Sequence, residues 1–482
     1  MSNARPNAVT VLIAAYAALV FAVLGITPLW LDELAQFATG RAGSVADLLR
    51  WVQINPGGAP LPYLAQRAIV ELFGASTFVV RLPAALCSIA GAAVFAALCG
   101  RFGIRSPAWA TALFLALPLQ FRYALEARGY SLGLLCTLVS FLLLLRVGER
   151  GTVGAAALYG ASVALGLYSQ PLTILPVLGG LFWLIGERDA NSQTKRRVLR
   201  GASIGVLSFV PWYWLQRQVQ EGSGTMSLYF FSWRQMKPLG PLHDLSGGGY
   251  LCSAALLVAA VVGWSKLRNR RLLACAALAA LAGPILVDAL VNYFFAARQL
   301  LFAAPVLALC AAAGIERLRA GERQWAGYAV LLAFFASAAV SDYRLATVPK
   351  DDFGAQAKVL AAHVPADACV AVAPPNQVVY YLFLRPELER KICAEPPDAA
   401  RVIAVMSPYS TQVERGQLSE LLDRSYDKAA VLQSGAGEIV EYRRRQLGPD
   451  TTPRACFDSR LHHGTQGRAE IGAPTVSGRT PP

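Results

Sequence analysis

Two adjacent acids, Asp32 and Glu33, lie in the stretch Trp30-Leu31-Asp32-Glu33-Leu34-Ala35-Gln36-Phe37. They follow directly on an apolar run, Val9 to Leu29, that can cross a bilayer at about 1.5 Å per residue. They therefore sit at a membrane surface, where a charge is costly enough to call for a function, though less so than at mid-bilayer. A carboxylate there can serve as a general base; the structural alternative is that Asp32 N-caps a short interfacial helix reaching Ala38. A second stretch, Arg122-Tyr123-Ala124-Leu125-Glu126-Ala127-Arg128-Gly129-Tyr130, sets cations, a carboxylate and two phenols between two apolar runs. Either it is an interfacial belt in which Glu126 pairs with Arg122 or Arg128, or it lines a polar site. Arg81 and Arg298 head two further runs, as snorkelling anchors or as guanidinium groups facing a bundle interior, where their planar fork suits a phosphate.

The elements that position these residues are membrane spans. Of 482 residues, 55% are hydrophobic and only 15% charged, well short of the roughly 25% charged residues of soluble domains. Apolar runs at 9–29, 78–100, 107–121, 130–147, 152–168, 171–186, 201–216, 248–264, 272–291, 299–315 and 325–341 predict about eleven transmembrane helices. The first is read as retained, since no small-residue cleavage site follows it. The net charge of +14 does not indicate nucleic acid, because Lys and Arg cluster between runs. Arg101/Arg105, Arg146/Arg150, Arg188 with Lys195–Arg200, Lys266–Arg271 and Arg317–Arg323 occupy alternate loops, which the positive-inside rule makes cytoplasmic. The loops with Asp32 and Glu126, the 217–246 loop, the 292–298 turn and the C-terminus then share the outer face.

The expected organisation is a transmembrane domain over 1–341 with a first outer loop at 32–76, an outer α/β domain over 342–447, and a disordered, Pro/Gly/Thr/Arg-rich tail over 448–482. The first outer loop holds two amphipathic pieces, about 33–52 and 61–73, broken by Asn55-Pro56-Gly57-Gly58-Ala59-Pro60. In the α/β domain, 352–363 and 413–425 read as helices, 369–373 and 402–406 as short buried strands. Six of nine cysteines lie in apolar runs and act as small hydrophobes. Cys369 and Cys393 fall in the outer domain, where a disulfide between them is one option that sequence cannot decide; Cys456 is left over. Nucleotide-binding loops, a zincin His pair and an Asp-x-Asp triplet are all missing, and Gly201-Ala202-Ser203-Ile204-Gly205 matches a nucleophile elbow only formally, with no preceding strand.

The acidic pair after the first span, the Pro-rich stretch, Leu72-Phe73-Gly74-Ala75 followed by Val80-Arg81-Leu82-Pro83, Leu125-Glu126-Ala127-Arg128-Gly129-Tyr130-Ser131, and an outer C-terminal domain together resemble the GT-C-fold glycosyltransferases. The chain is most similar to the branch containing the protein O-mannosyltransferases and the aminoarabinose lipid A transferases. The resemblance covers about residues 9 to 380 and departs from a His-Pro-Pro run common in relatives, which here is replaced by Asn55-Pro56-Gly57-Gly58-Ala59-Pro60.

The resemblance implies a polytopic α-helical enzyme of the bacterial inner membrane that moves a hexose or pentose from a polyprenyl-phosphate donor to an acceptor on the outer face. The acceptor could be lipid A, a glycan, a glycolipid or a protein. Asp32, with Glu33 beside it, is expected to be the catalytic base of an inverting displacement. Arg128 and Arg298, with Arg81 as a further candidate, would stabilise the leaving phosphate, and Glu126 and Tyr130 would orient substrate. No cofactor is required by this scheme, although a Mg²⁺ or Mn²⁺ ion on Asp32 and Glu126 would suit the oxygen ligands. Two other classes compete: a transporter or flippase of lipid-linked sugars, against which no internal repeat is evident, and a non-catalytic envelope assembly protein. Tyr229, Phe230, Phe231 and Trp233 in the 217–246 loop read as a lid or, slightly better, as an interfacial belt.

Overall fold

The computed structural model describes residues 7–55, 58–150, 152–188, 191–221, 245, 250–291, 296–320, 324–351, 353–393, 399–433 and 437–445. The expected tail, Cys456, and almost all of the 217–246 loop lie outside the described residues. The helices in chain order are α1 (Ala8–Val23), α2 (Leu31–Gly40), α3 (Val45–Ile54), α4 (Pro60–Phe73), α5 (Thr77–Arg101), α6 (Pro107–Leu115), α7 (Pro118–Ala124), α8 (Tyr130–Arg150), α9 (Val153–Ser169), α10 (Ile174–Gly186) and α11 (Ser192–Glu221). They continue as α12 (Tyr250–Trp264), α13 (Arg270–Val291), a 3₁₀ segment Ala297–Ala303, α14 (Ala304–Arg319) and α15 (Gln324–Thr347). A mixed region follows: α16 (Phe353–His363), β1 (Ala368–Ala373), α17 (Val378–Leu384), β2 (Arg401–Met406), α18 (Gln412–Asp423), β3 (Tyr426–Gln433) and β4 (Glu438–Arg444).

The chain divides into two compact units, Met1–Pro28 with Leu48–Val348, and Leu29–Asp47 with Pro349–Pro482. In the first, five described helices are long and apolar enough to cross a membrane: Thr77–Arg101, Tyr130–Gly148, Arg270–Leu290, Arg298–Arg319 and Gln324–Thr347. With the shorter apolar helices Ala8–Val23, Val153–Ser169, Pro171–Gly186 and Ser253–Trp264, they make this a multi-pass membrane protein. The run 107–121, expected as one span, is two helices, because Pro118 bars its predecessor Leu117 from helical backbone. The Arg298–Arg319 segment is the most enclosed of the five. Its α14 part lies tight against α12: a Cβ on Gly263 would run into the backbone of Cys310 and Gly314, and one on Gly314 into that of Ala259. Small residues at both contact faces allow this approach, the means by which apolar helices associate when lipid supplies no hydrophobic drive.

The second unit carries a four-stranded sheet in the order β1-β2-β4-β3. β1 and β2 are parallel, with Ala368 opposite Arg401 and Ala373 opposite Met406; β2–β4 and β4–β3 are antiparallel. Ala373, Val402, Ala404, Met406, Leu422, Tyr426, Val440 and Tyr442 form its core. The expected strands and helices are present within a residue or two, and α18 starts with a capping box in which Thr411 Oγ1 accepts from Glu414 N and Glu414 Oε2 accepts from Thr411 N. β3 and β4 went unread in the sequence because charges interrupt their alternation. Cys369 and Cys393 form a disulfide, tying β1 to the segment that precedes β2. The segment Leu29–Asp47, expected as part of an outer loop of the transmembrane domain, packs in this second unit, through Phe37 of α2 against Phe383 of α17 (4.2 Å between ring centroids).

Candidate active site

Five of the expected site residues fall in the membrane unit. α7 ends at Ala124, and the chain turns through 125–129 before α8 begins at Tyr130. Glu126 is buried, and its carboxylate accepts from Arg122 Nε at 3.1 Å across one helical turn. Tyr123 and Tyr130 are both buried, with ring centroids 4.6 Å apart, and the Arg298 guanidinium carbon stands 6.0 Å from the centre of the Tyr130 ring. The Tyr123 phenol is held well above its ordinary pKa by burial and then by the charges of Glu126 and Tyr130, while Arg298 and Arg122 oppose the rise. Glu126, Tyr130 and Arg298 are thus brought into one electrostatic neighbourhood, with Arg122 and Tyr123 added by the structure. Arg128 is half-buried on the same turn, and its amide donates to Glu126 O at 2.7 Å.

Glycine is required in that turn by space. A Cβ on Gly129 would collide with the Ser169 carbonyl oxygen and the Pro62 ring, so α4, the end of α9 and the 125–129 turn meet at one point. The Pro/Gly stretch before α4 is held from another side. Gln216 Nε2 donates to Asn55 O (2.9 Å) and Gly58 O (3.1 Å), and Trp212 Nε1 donates to Gly58 O (3.2 Å). Arg81 is buried and acts on the turn after α1: its two terminal nitrogens donate to the carbonyls of Leu24, Thr27 and Pro28, each at 3.0 Å, and to Thr27 Oγ1 at 3.2 Å. Helix-end carbonyls lack intrahelical donors, so Arg81 serves as a clamp on this turn.

Asp32 and Glu33 belong to the second unit. Asp32 is the second residue of α2 and Glu33 the third, with Trp30 as the extended N-cap. The capping duty open to Asp32 in the sequence falls to Glu33, which is fully buried and accepts from Trp30 N at 3.3 Å. The third-residue carboxylate has the reach to fold back on the cap amide. A third acid, Asp351, accepts from Leu31 N through Oδ2 at 2.9 Å, and Lys350 Nζ lies 4.0 Å from the Trp30 ring centroid. Tyr380 and Tyr409 complete the surroundings. Both phenols are pushed up to about 12, Tyr380 by burial and then Asp32, Tyr409 by burial, Asp351 and Asp32 in that order. Sequence reading missed Asp351, Tyr380 and Tyr409; the available hint was the acidic pair Asp351-Asp352 ahead of a helix, a common capping pattern. Among the described residues no three His, Cys, Asp or Glu side chains gather to hold a metal ion.

Residues 57–214 match the family model described as dolichyl-phosphate-mannose-protein mannosyltransferase. ArnT from Cupriavidus metallidurans in the apo state is similar to the chain over 89% of its length and 97% of the ArnT chain, with a TM-score of 0.60 and 15% identity. The chain has the GT-C fold. ArnT bound to undecaprenyl phosphate has the same GT-C coverage, with a TM-score of 0.56 and 16% identity. The mycobacterial arabinofuranosyltransferase AftD shares the fold at a TM-score of 0.50 and 16% identity, covering 89% of this chain and 41% of AftD. No curated protein matches the sequence. The family match includes Arg81, Glu126, Arg128 and Tyr130 of the GT-C membrane unit; Asp32, Glu33 and Arg298 lie outside it.

Proposed function

We propose that this protein is a membrane glycosyltransferase that moves a sugar from a polyprenyl-phosphate donor to an acceptor hydroxyl on the outer face of a bacterial inner membrane. The observation that carries the reading is the Arg298 guanidinium set against Tyr130 in the Glu126–Tyr123 cluster, within a fold whose ArnT neighbour holds undecaprenyl phosphate. A sugar bound through a lipid phosphate suits a site in a membrane bundle, because the donor can enter from the bilayer and needs no nucleotide.

The reaction is an inverting single displacement. Asp32 takes the proton of the acceptor hydroxyl as its oxygen bonds to the anomeric carbon, and the bond from that carbon to the phosphate oxygen breaks with its electron pair. The departing polyprenyl phosphate gathers negative charge, which Arg298 and Arg128 stabilise by charge-assisted hydrogen bonds. Glu126 holds Arg122 and, with Tyr130, shapes the polar wall beside Arg298. Glu33 supports the base by capping its helix.

Purified protein supplied with synthetic polyprenyl-phosphate pentoses and hexoses and an envelope lipid extract should release polyprenyl phosphate and glycosylate a lipid or glycan. Arg298→Ala should lower kcat/KM for the donor roughly 10²- to 10³-fold, the range for losing one charge-stabilising donor. Arg298→Lys should recover part of it, since a lysine restores the charge without the fork. A defect confined to the acceptor would remove Arg298 from the phosphate. Movement of the lipid-linked sugar across the bilayer with no transfer would make the chain a carrier.

A further inference from the structure

We propose that Asp351 is a positioning residue for this reaction, holding the first turn of α2, and with it Asp32, through a bond to the Leu31 amide. The inference rests on the reading of Asp32 as general base and concerns the second unit alone.

The first amides of any helix lack intrahelical acceptors. At α2 two of them are taken by carboxylates of different origin: Trp30 N by Glu33, on the same helix, and Leu31 N by Asp351, 320 residues further along the chain. Asp351 divides its two oxygens. Oδ1 accepts from Phe353 N at 3.4 Å, two residues on, which is the turn an aspartate makes at the entrance to its own helix, α16. Oδ2 is left to reach across to α2 at 2.9 Å. One carboxylate thus bonds to the N-terminal amides of two helices. The preceding residue adds a second grip, with the Lys350 ammonium on the Trp30 ring. Residues 350–351 therefore hold residues 30–31, and Asp32 is the next residue in the chain. A cap serving only its own helix would have no use for the second contact. The charges of Asp351 and Asp32 both act on Tyr409, so the two acids share one electrostatic neighbourhood.

The donor of this bond can be removed without touching Asp351. Leu31 is the first helical residue of α2, a position where proline is well accepted, and Trp30 before it is already extended at φ −98° and ψ 173°. Leu31→Pro deletes the N–H; Leu31→Ala trims the same side chain and keeps it. In the release assay with synthetic polyprenyl-phosphate sugars, Asp351→Ala and Leu31→Pro should each lower kcat by roughly 10²-fold, as expected for about 1 Å of misplacement of a reacting group. The donor KM should stay within about twofold, Leu31→Ala should stay within about threefold of the unmodified enzyme, and Asp351→Asn, which retains one acceptor oxygen, should fall between. The Asp351→Ala/Leu31→Pro double variant should be no slower than the slower single one, because both break one bond. Wild-type kcat in Leu31→Pro or Asp351→Ala, or losses that multiply in the double variant, would overturn the proposal. Should Asp351→Ala fail to fold, the Leu31→Pro and Leu31→Ala pair decides alone. Full activity of Asp32→Asn would instead remove the general-base reading itself, whereas an inactive Asp32→Asn beside active Leu31→Pro and Asp351→Ala would defeat only the positioning role.

Discussion

One of two neighbouring carboxylates caps a helix and the other is the proposed general base, which makes a crossed experiment at positions 32 and 33 informative. Glu33 is fully buried and its carboxylate caps Trp30 N, so Glu33→Ala leaves a backbone donor without its acceptor. The cost is about 1–2 kcal/mol, the range for a lost helix cap or an unsatisfied buried amide. In a unit that spans Leu29–Asp47 and Pro349–Pro482 this corresponds to a Tm lower by about 2–4 °C for each kcal/mol. Glu33→Gln keeps an acceptor oxygen and should recover most of that stability. Asp32→Asn should behave in the opposite way. It gives up the favourable interaction of a charge with the first turn of α2, under about 1 kcal/mol, and removes the proposed proton acceptor. Loss of a general base lowers kcat by about 10²- to 10⁴-fold, or roughly 3–5 kcal/mol of barrier. Thermal unfolding and donor turnover on the same detergent-purified preparations test both halves. The reasoning is refuted if Asp32→Asn turns over donor near normally, and it is equally refuted if Glu33→Gln is as inactive as Asp32→Asn at full stability, which would transfer the base to Glu33.

Two further outcomes follow from the second unit. Tyr380 and Tyr409 ionise near 12 in the folded protein against about 10 when unfolded, so the stability they contribute is intact below pH 10 and declines as pH rises from 10 towards 12. Asp32→Asn, by deleting a negative charge that raises both, should move their phenolate absorbance to lower pH; no movement would separate Asp32 from these phenols. Replacing Cys369 and Cys393 together by serine opens a loop spanning 24 residues and should cost ~3 kcal/mol by chain entropy. Thiol labelling in intact cells should leave both unmodified until a reductant is added, and free thiols would contradict the bond and the proposed outer-face location.

The membrane unit was legible to the degree that its signal is local. Long apolar runs specify helices whatever surrounds them, since backbone polar groups must be satisfied inside the segment once water is absent. The one broken span was also legible in principle, because Pro118 restricts Leu117 directly. A partner for Glu126 was legible in the same way, one turn away at Arg122 or two residues on at Arg128, and in the fold Arg122 donates to it. β1 and β2 were visible as short apolar runs, whereas in β4 the residues Glu438, Glu441, Arg443 and Arg444 sit among Ile439, Val440 and Tyr442. Those charges suit a strand only when its partners are known, so strand character there depends on pairing and not on composition.

The sequence by itself determined that this is a multi-pass membrane protein with an acidic pair after its first apolar segment, an Arg/Glu/Tyr turn further on and a small α/β region at its C-terminal end. These follow from residue type and from spacings of a few positions. Tertiary structure alone decided that Glu33 is the acid that caps α2, that Arg81 clamps a turn of carbonyls, and that Arg298 stands against Tyr130. It also decided that the amide before Asp32 is held by a carboxylate 320 residues away. The physical reason is reach: propensity and hydropathy act over a few residues, while a hydrogen bond or a charge acts over a few ångströms, and only the folded chain converts one distance into the other.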